Sequence, residues 1–255
     1  MRMFAVFIGI DRYKDVLIKS LNYAKADAVR FCKLVEYKID PRDRKLWILL
    51  DEQATKVSIM RIIGEEVASQ AGERDVVIVH FSGHGCPETF RNIDSMSRYL
   101  IAYDTEYENI FATGINMELE VKALFHRISS RLVVFFLDSC FSGRAGGRTF
   151  EGPNIRRTLG YRGTVQLEKL NLGEGRIIIA ACDDNQVAQE DPAMGQGVFT
   201  YYLLEVLTDR NLSGNTISIG QIYDQVYLKV QAHTNGKQTP ILNGRYRFAQ
   251  IPKLV

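Results

Sequence analysis

A chain of 255 residues, 46% of them hydrophobic, can bury a core large enough for a single α/β domain over residues 1–255. Its 32 basic residues nearly balance 30 acidic ones, for a formal charge of +2, so no global field selects nucleic acid or an anionic membrane as a partner. No apolar run nears the roughly 18 residues of a membrane span, Asp11 and Arg12 arrive too early for a secretory leader, and four scattered cysteines make no disulfide framework; the expectation is a cytoplasmic protein with reduced thiols.

Residues 3–10 (MFAVFIGI) read as a buried strand, and Ala28, Phe31, Cys32 and Val35 recur at helical spacing within residues 24–37. Residues 45–50 predict a second strand, 57–71 a second helix closed by Gly72, and 76–81 a third strand. The polar stretch from Gly85 to Arg98 reads as a surface loop, followed by a short strand over 99–103. Met117, Val121, Leu124, Phe125 and Ile128 mark a helix over 116–128 that leads into a strand at 132–137. Residues 144–175, rich in glycine and arginine and without apolar periodicity, predict a long mobile loop. A strand over 176–181, helices over 199–207 and 219–231, and a last strand near 246–251 complete the sheet. Such alternation predicts a mostly parallel sheet with helices on both faces.

Two apolar runs stop at reactive residues. VVIVHFSGHG (76–85) brings His84 just past its end, and VVFFLDSCFSG (133–143) brings Cys140. If the two strands are parallel neighbours, both residues emerge at one sheet edge, where open α/β sheets hold ligands. A thiolate nucleophile with an imidazole to take and return its proton can then attack a carbonyl. The backbone N–H groups of Gly85 and Cys140 are placed to hold the developing oxyanion. Taken singly, a buried cysteine is more often inert and a strand-end histidine merely hydrogen-bonded.

Residues two apart on a strand share a side, so Asp138 accompanies Cys140 and Ser82 accompanies His84. An acid beside the nucleophile disfavours the thiolate and needs another purpose. It can receive a cationic substrate group, or it can cap the following turn; the residues alone leave both open. His84, Cys86 and Cys182 lack the paired spacing of zinc ligands, so no metal is expected. No phosphate-binding glycine motif and no G-x-S-x-G is present.

FSGHG (81–85) and LDSCFSG (137–143) resemble the histidine and cysteine motifs of caspase-fold cysteine peptidases, closest to the metacaspases and their bacterial caspase-like relatives. GIDRY (9–13), LNYAKADA (21–28), YLIAYD (99–104), ACDDNQVAQE (181–190) and GVFTYYLLEVL (197–207) support the likeness. It implies a caspase-like three-layer α/β sandwich and an endopeptidase working through a His84/Cys140 dyad and an acyl-enzyme. It also implies that Asp27, Ser82 and Asp138 line a pocket for Arg, secondarily Lys, in a protein or peptide substrate.

Calcium-activated members carry acids after the cysteine motif, where this chain reads RAGGR (144–148), so no cofactor is expected and calcium activation lacks support. Arg144, Arg148, Arg156, Arg157 and Arg162 match the implied specificity and are candidate self-cleavage sites. The resemblance favours a monomer, and activation by a separate protein or by loop removal are both open. The rival readings are a catalytically silent scaffold that binds basic peptides and a cysteine hydrolase of small amides.

Overall fold

Strands β1 (Met3–Gly9), β3 (Val76–Ser82) and β7 (Leu132–Asp138) are buried at every position, as unbroken apolar runs must be when a parallel sheet is covered on both faces. With β2 (Arg44–Leu50), β8 (Arg176–Ala180) and β12 (Ile241–Gly244) they form a six-stranded sheet in the order β12-β8-β7-β3-β1-β2, while β9 (Glu190–Asp191) and β10 (Gln196–Gly197) make a separate antiparallel pair. All neighbours are parallel except β12, which runs antiparallel to β8. The computed structural model describes the chain except residues 90–95, 142–146, 150–151, 153–169, 171, 184–185, 212–213, 247–248 and 255.

Side-chain alternation along β1 divides the core. Phe4, Val6 and Ile8 pack with Ile59, Ile63, Leu124 and Phe125 on one face. These come from α2 (Lys56–Arg61), its π-helical continuation (Ile62–Val67) into α3 (Ala68–Gln70), and α5 (Lys122–Arg127), which follows the short α4 (Ile110–Thr113). Met3, Ala5 and Phe7 face the other way. There they meet α1 (Ala24–Lys38), α6 (Val198–Leu207) and α7 (Ile219–Thr234) through Phe31, Val35, Phe199, Leu203, Ile222 and Val226. The architecture is α/β, a mostly parallel six-stranded sheet with helices on both faces. No described helix is long and apolar enough to cross a membrane.

Two expectations are corrected. The stretch after Gly85 is a strand, β4 (Gly85–Thr89), in a separate three-stranded sheet with β5 (Met96–Leu100) and β6 (Ile115–Asn116). The last strand of the main sheet is β12, not residues 246–251. β12 ends at Gly244 (φ +131), and β13 (Gln250–Pro252) pairs with β11 (Thr216–Ser218) instead. Most of the expected loop over 144–175 lies outside the described residues; of its described part, Arg148, Thr149, Leu170 and Leu172 are buried.

Candidate active site

β3 and β7 are parallel neighbours with Ser82 level with Asp138, so two residues further on His84 and Cys140 leave the same sheet edge together. The His84 ring is fixed by Nε2 at 2.7 Å from the Lys19 carbonyl oxygen. A carbonyl only accepts, so Nε2 carries the proton and Nδ1 the lone pair. The His84 amide donates to the Tyr13 hydroxyl at 2.8 Å, and the two rings lie 5.3 Å apart. Burial pulls His84 down to about 4, against the main-chain oxygens of Lys19 and Arg148, which raise it; the imidazole is therefore neutral at pH 7. Cys140 is buried, with its thiol 2.5 Å from the Gln186 carbonyl oxygen.

The amides expected to hold an oxyanion have converged on one oxygen. The Gly85 N–H (3.0 Å) and the Cys140 N–H (3.3 Å) both donate to the carbonyl of Arg148, whose own N–H donates to Ala188 O at 3.1 Å. Gly85 must be glycine here, because a Cβ would lie 2.4 Å from Cys140 O. Thr149 follows in a parallel bridge with Gly85. The segment 147–149 thus lies across the strand ends like a bound peptide.

The Arg148 side chain, 0% exposed, enters a pocket of acids. Its Nη2 donates to Asp27 Oδ2 (2.6 Å) and Glu190 Oε1 (3.2 Å). Its Nη1 donates to Ser82 Oγ (2.5 Å) and Asp138 O (3.2 Å), and pairs with Asp138 Oδ1 at 3.1 Å. Ser82 Oγ in turn donates to Asp27 Oδ2 at 3.0 Å. So Asp27, Ser82 and Asp138, drawn from α1, β3 and β7, meet around one guanidinium. Burial works against the Arg148 charge, but Asp138, Asp27 and Glu190 outweigh it and hold its pKa above the usual value. Burial raises Asp27 to about 7, against the pull of Arg148 and with the push of Asp138.

The start of α6 braces these acids. Thr200 donates to Asp138 Oδ2 through its N–H (3.0 Å) and its hydroxyl (2.6 Å), and Gly197 N–H donates to Asp27 Oδ1 (3.0 Å). The single Thr200 hydroxyl proton is spent on Asp138, so His80, whose Nε2 lies 3.0 Å from that oxygen, is the donor there. Unpartnered helix N–H groups favour negative charge at this position.

Glu190, Thr200, Gly197, Tyr13 and the Lys19 carbonyl were not legible as site residues. Glu190 lay inside the polar run after the 176–181 strand, and no spacing rule brings residue 190 to residue 27. Arg148 stands in the acidic pocket; Arg144, Arg156, Arg157 and Arg162 lie outside the described residues.

A family model described as the caspase domain matches residues 2–248. The fold is similar to that of protein GSU0716 from Geobacter sulfurreducens, at 19% identity and TM-score 0.72, covering 100% of this chain and 99% of that one. It is also similar to caspase-1 from Spodoptera frugiperda, at 15% identity and TM-score 0.56, covering 96% and 88%. No match is found among curated proteins.

Proposed function

The chain belongs to the caspase domain family of cysteine peptidases, and on that footing we propose that it is a metacaspase-like endopeptidase that cuts on the carboxyl side of arginine, and secondarily of lysine. Cys140 is the nucleophile, His84 the base and acid, and Asp27, Ser82, Asp138 and Glu190 bind the basic side chain. One observation carries the reading: an arginine has its guanidinium among these acids while its carbonyl accepts from the amides of Gly85 and Cys140. Specificity pocket and oxyanion donors are engaged by a single residue, as a substrate requires.

In this reading the Cys140 thiol turns from the Gln186 carbonyl and passes its proton to His84 Nδ1. The thiolate adds to the carbonyl carbon, and the negative charge that develops on its oxygen falls to the Gly85 and Cys140 N–H groups. His84 returns the proton to the leaving nitrogen as the C–N bond breaks, giving a thioester and a free amine. Water, deprotonated by His84, then adds to the thioester, and release of the Cys140 thiol, reprotonated through His84, leaves a carboxylic acid that ionises. Because the docked residue is Arg148, the same argument selects Arg148–Thr149 as the bond cut in cis.

The test is turnover of fluorogenic peptides with Arg, Lys, Asp or Ala before the scissile bond, by wild type and Cys140→Ala, each with and without calcium. Arg-selective turnover absent from the variant is the expected result. Binding of arginyl peptides without turnover under any condition would replace the peptidase by a scaffold that recognises basic segments.

A further inference from the structure

We propose that the subsite preceding the basic pocket is reserved for glycine, so that the unit recognised is the dipeptide Gly-Arg and not arginine alone. The inference rests on the pocket reading above and deepens it. Gly147, which precedes Arg148, has φ +61, a left-handed conformation that side chains disfavour. A Cβ built there would lie 2.1 Å from Val187 Cγ1 and 2.4 Å from Ala188 O. The first obstacle is a side chain that can turn; the second is backbone.

That backbone has little room to retreat. Ala188 O is the acceptor for the Arg148 N–H, so moving it loosens the arginine that follows. The next residue is held on both sides, Gln189 N–H donating to Gln238 Oε1 at 2.9 Å and Gln189 O accepting from Val198 N–H at 3.0 Å. Gln238 Nε2 donates in turn to Ala181 O at 3.1 Å, tying the wall to the end of β8. Ala188 itself is fully buried in the core. A larger residue before the arginine therefore meets a wall built into the fold.

The loop sequence sorts its own arginines by this rule. Arg148 follows Gly147 and Arg144 follows Gly143, whereas Arg156 follows Ile155, Arg157 follows Arg156, and Arg162 follows Tyr161. The rule accordingly excludes cleavage in cis after 156, 157 and 162 and admits it after 144 and 148, of which Arg148 is the one docked in the pocket.

The experiment compares kcat/KM of the full-length protein for acylated Gly-Arg, Ala-Arg, Val-Arg and Leu-Arg fluorogenic peptides. At least a tenfold preference for Gly-Arg over Ala-Arg, with Val-Arg and Leu-Arg lower still, is expected. Equal or better turnover of Ala-Arg or Leu-Arg overturns the glycine rule while leaving the arginine peptidase standing. If no arginyl peptide is turned over, the peptidase reading fails by itself, and the subsite is read by binding. Cys140→Ala combined with Arg148→Ala vacates the pocket, and titration with acetyl-Gly-Arg-Thr and acetyl-Ala-Arg-Thr amides should give at least tenfold tighter binding of the first. Equal affinities, or no binding of either, overturn the rule.

Discussion

Asp27, Asp138 and Arg148 are each fully buried, and such a group is stable only as a set. Removing the cation from buried acids typically costs about 3–5 kcal/mol. Arg148→Ala is therefore expected to lower the melting temperature, and benzamidine, a soluble amidinium, is expected to restore much of it; a loss that benzamidine does not touch would speak against a pocket open to cations. Thr200→Val deprives Asp138 of a charged hydrogen bond and should raise KM for arginyl peptides roughly tenfold or more with little change in kcat, measured by steady-state kinetics. His84→Ala should instead lower kcat by about 10²–10⁴. Ser82 and Asp138 were legible because strand periodicity puts each two residues before a reactive partner. Glu190 was not, since its place depends on a fold-wide return of the chain to α1.

Strands end at the site and α6 begins there, and both facts shape it. Gly197, next to the first residue of α6, has no room for a Cβ, which would lie 2.5 Å from Asp138 Oδ2 and 2.7 Å from Arg148 Nη2. Gly197→Ala is expected to abolish arginine selectivity while the far-ultraviolet circular dichroism stays that of wild type. The central strands were legible because they are unbroken apolar runs. The pairing of β4 with β5 was hidden by its polar content: Arg98, 2% exposed, is ion-paired with the half-buried Glu118 at 3.1 Å, and a buried arginine reads in sequence as part of a surface loop. The edge strand was misplaced because Ile241–Gly244 is short, and nothing local says that Gln250–Pro252 pairs with Thr216–Ser218 and not with the main sheet.

The molecule carries two neutral imidazoles inside it. Burial lowers His80 to about 3 and His84 to about 4, both below the ordinary histidine value near 6.5. Between those limits the unfolded chain binds protons that the folded chain does not, so the stability these residues supply is present above pH 6.5 and is lost as pH falls toward 4. Asp27, raised by burial to about 7, has the opposite sign, its contribution fading as pH rises through 7. Two imidazoles outweigh one carboxyl, and the urea midpoint of Cys140→Ala should fall from pH 7.5 to pH 5; a rise over that interval would contradict neutral buried histidines.

Arg148 stands only eight positions along the same chain from the cysteine whose amide it meets. Its docking is first order in protein, at an effective concentration on the order of millimolar for so short a connection. A peptide added at micromolar levels then competes at a thousandfold disadvantage, and progress curves should begin with a lag whose length does not change when the enzyme is diluted. Under the self-cleavage proposed above, cutting after Arg148 would free the Thr149 side but leave the arginine tethered to the Cys140 side. The first product is then also the first competitive inhibitor, and the end of the lag marks its departure from the pocket rather than the cut itself.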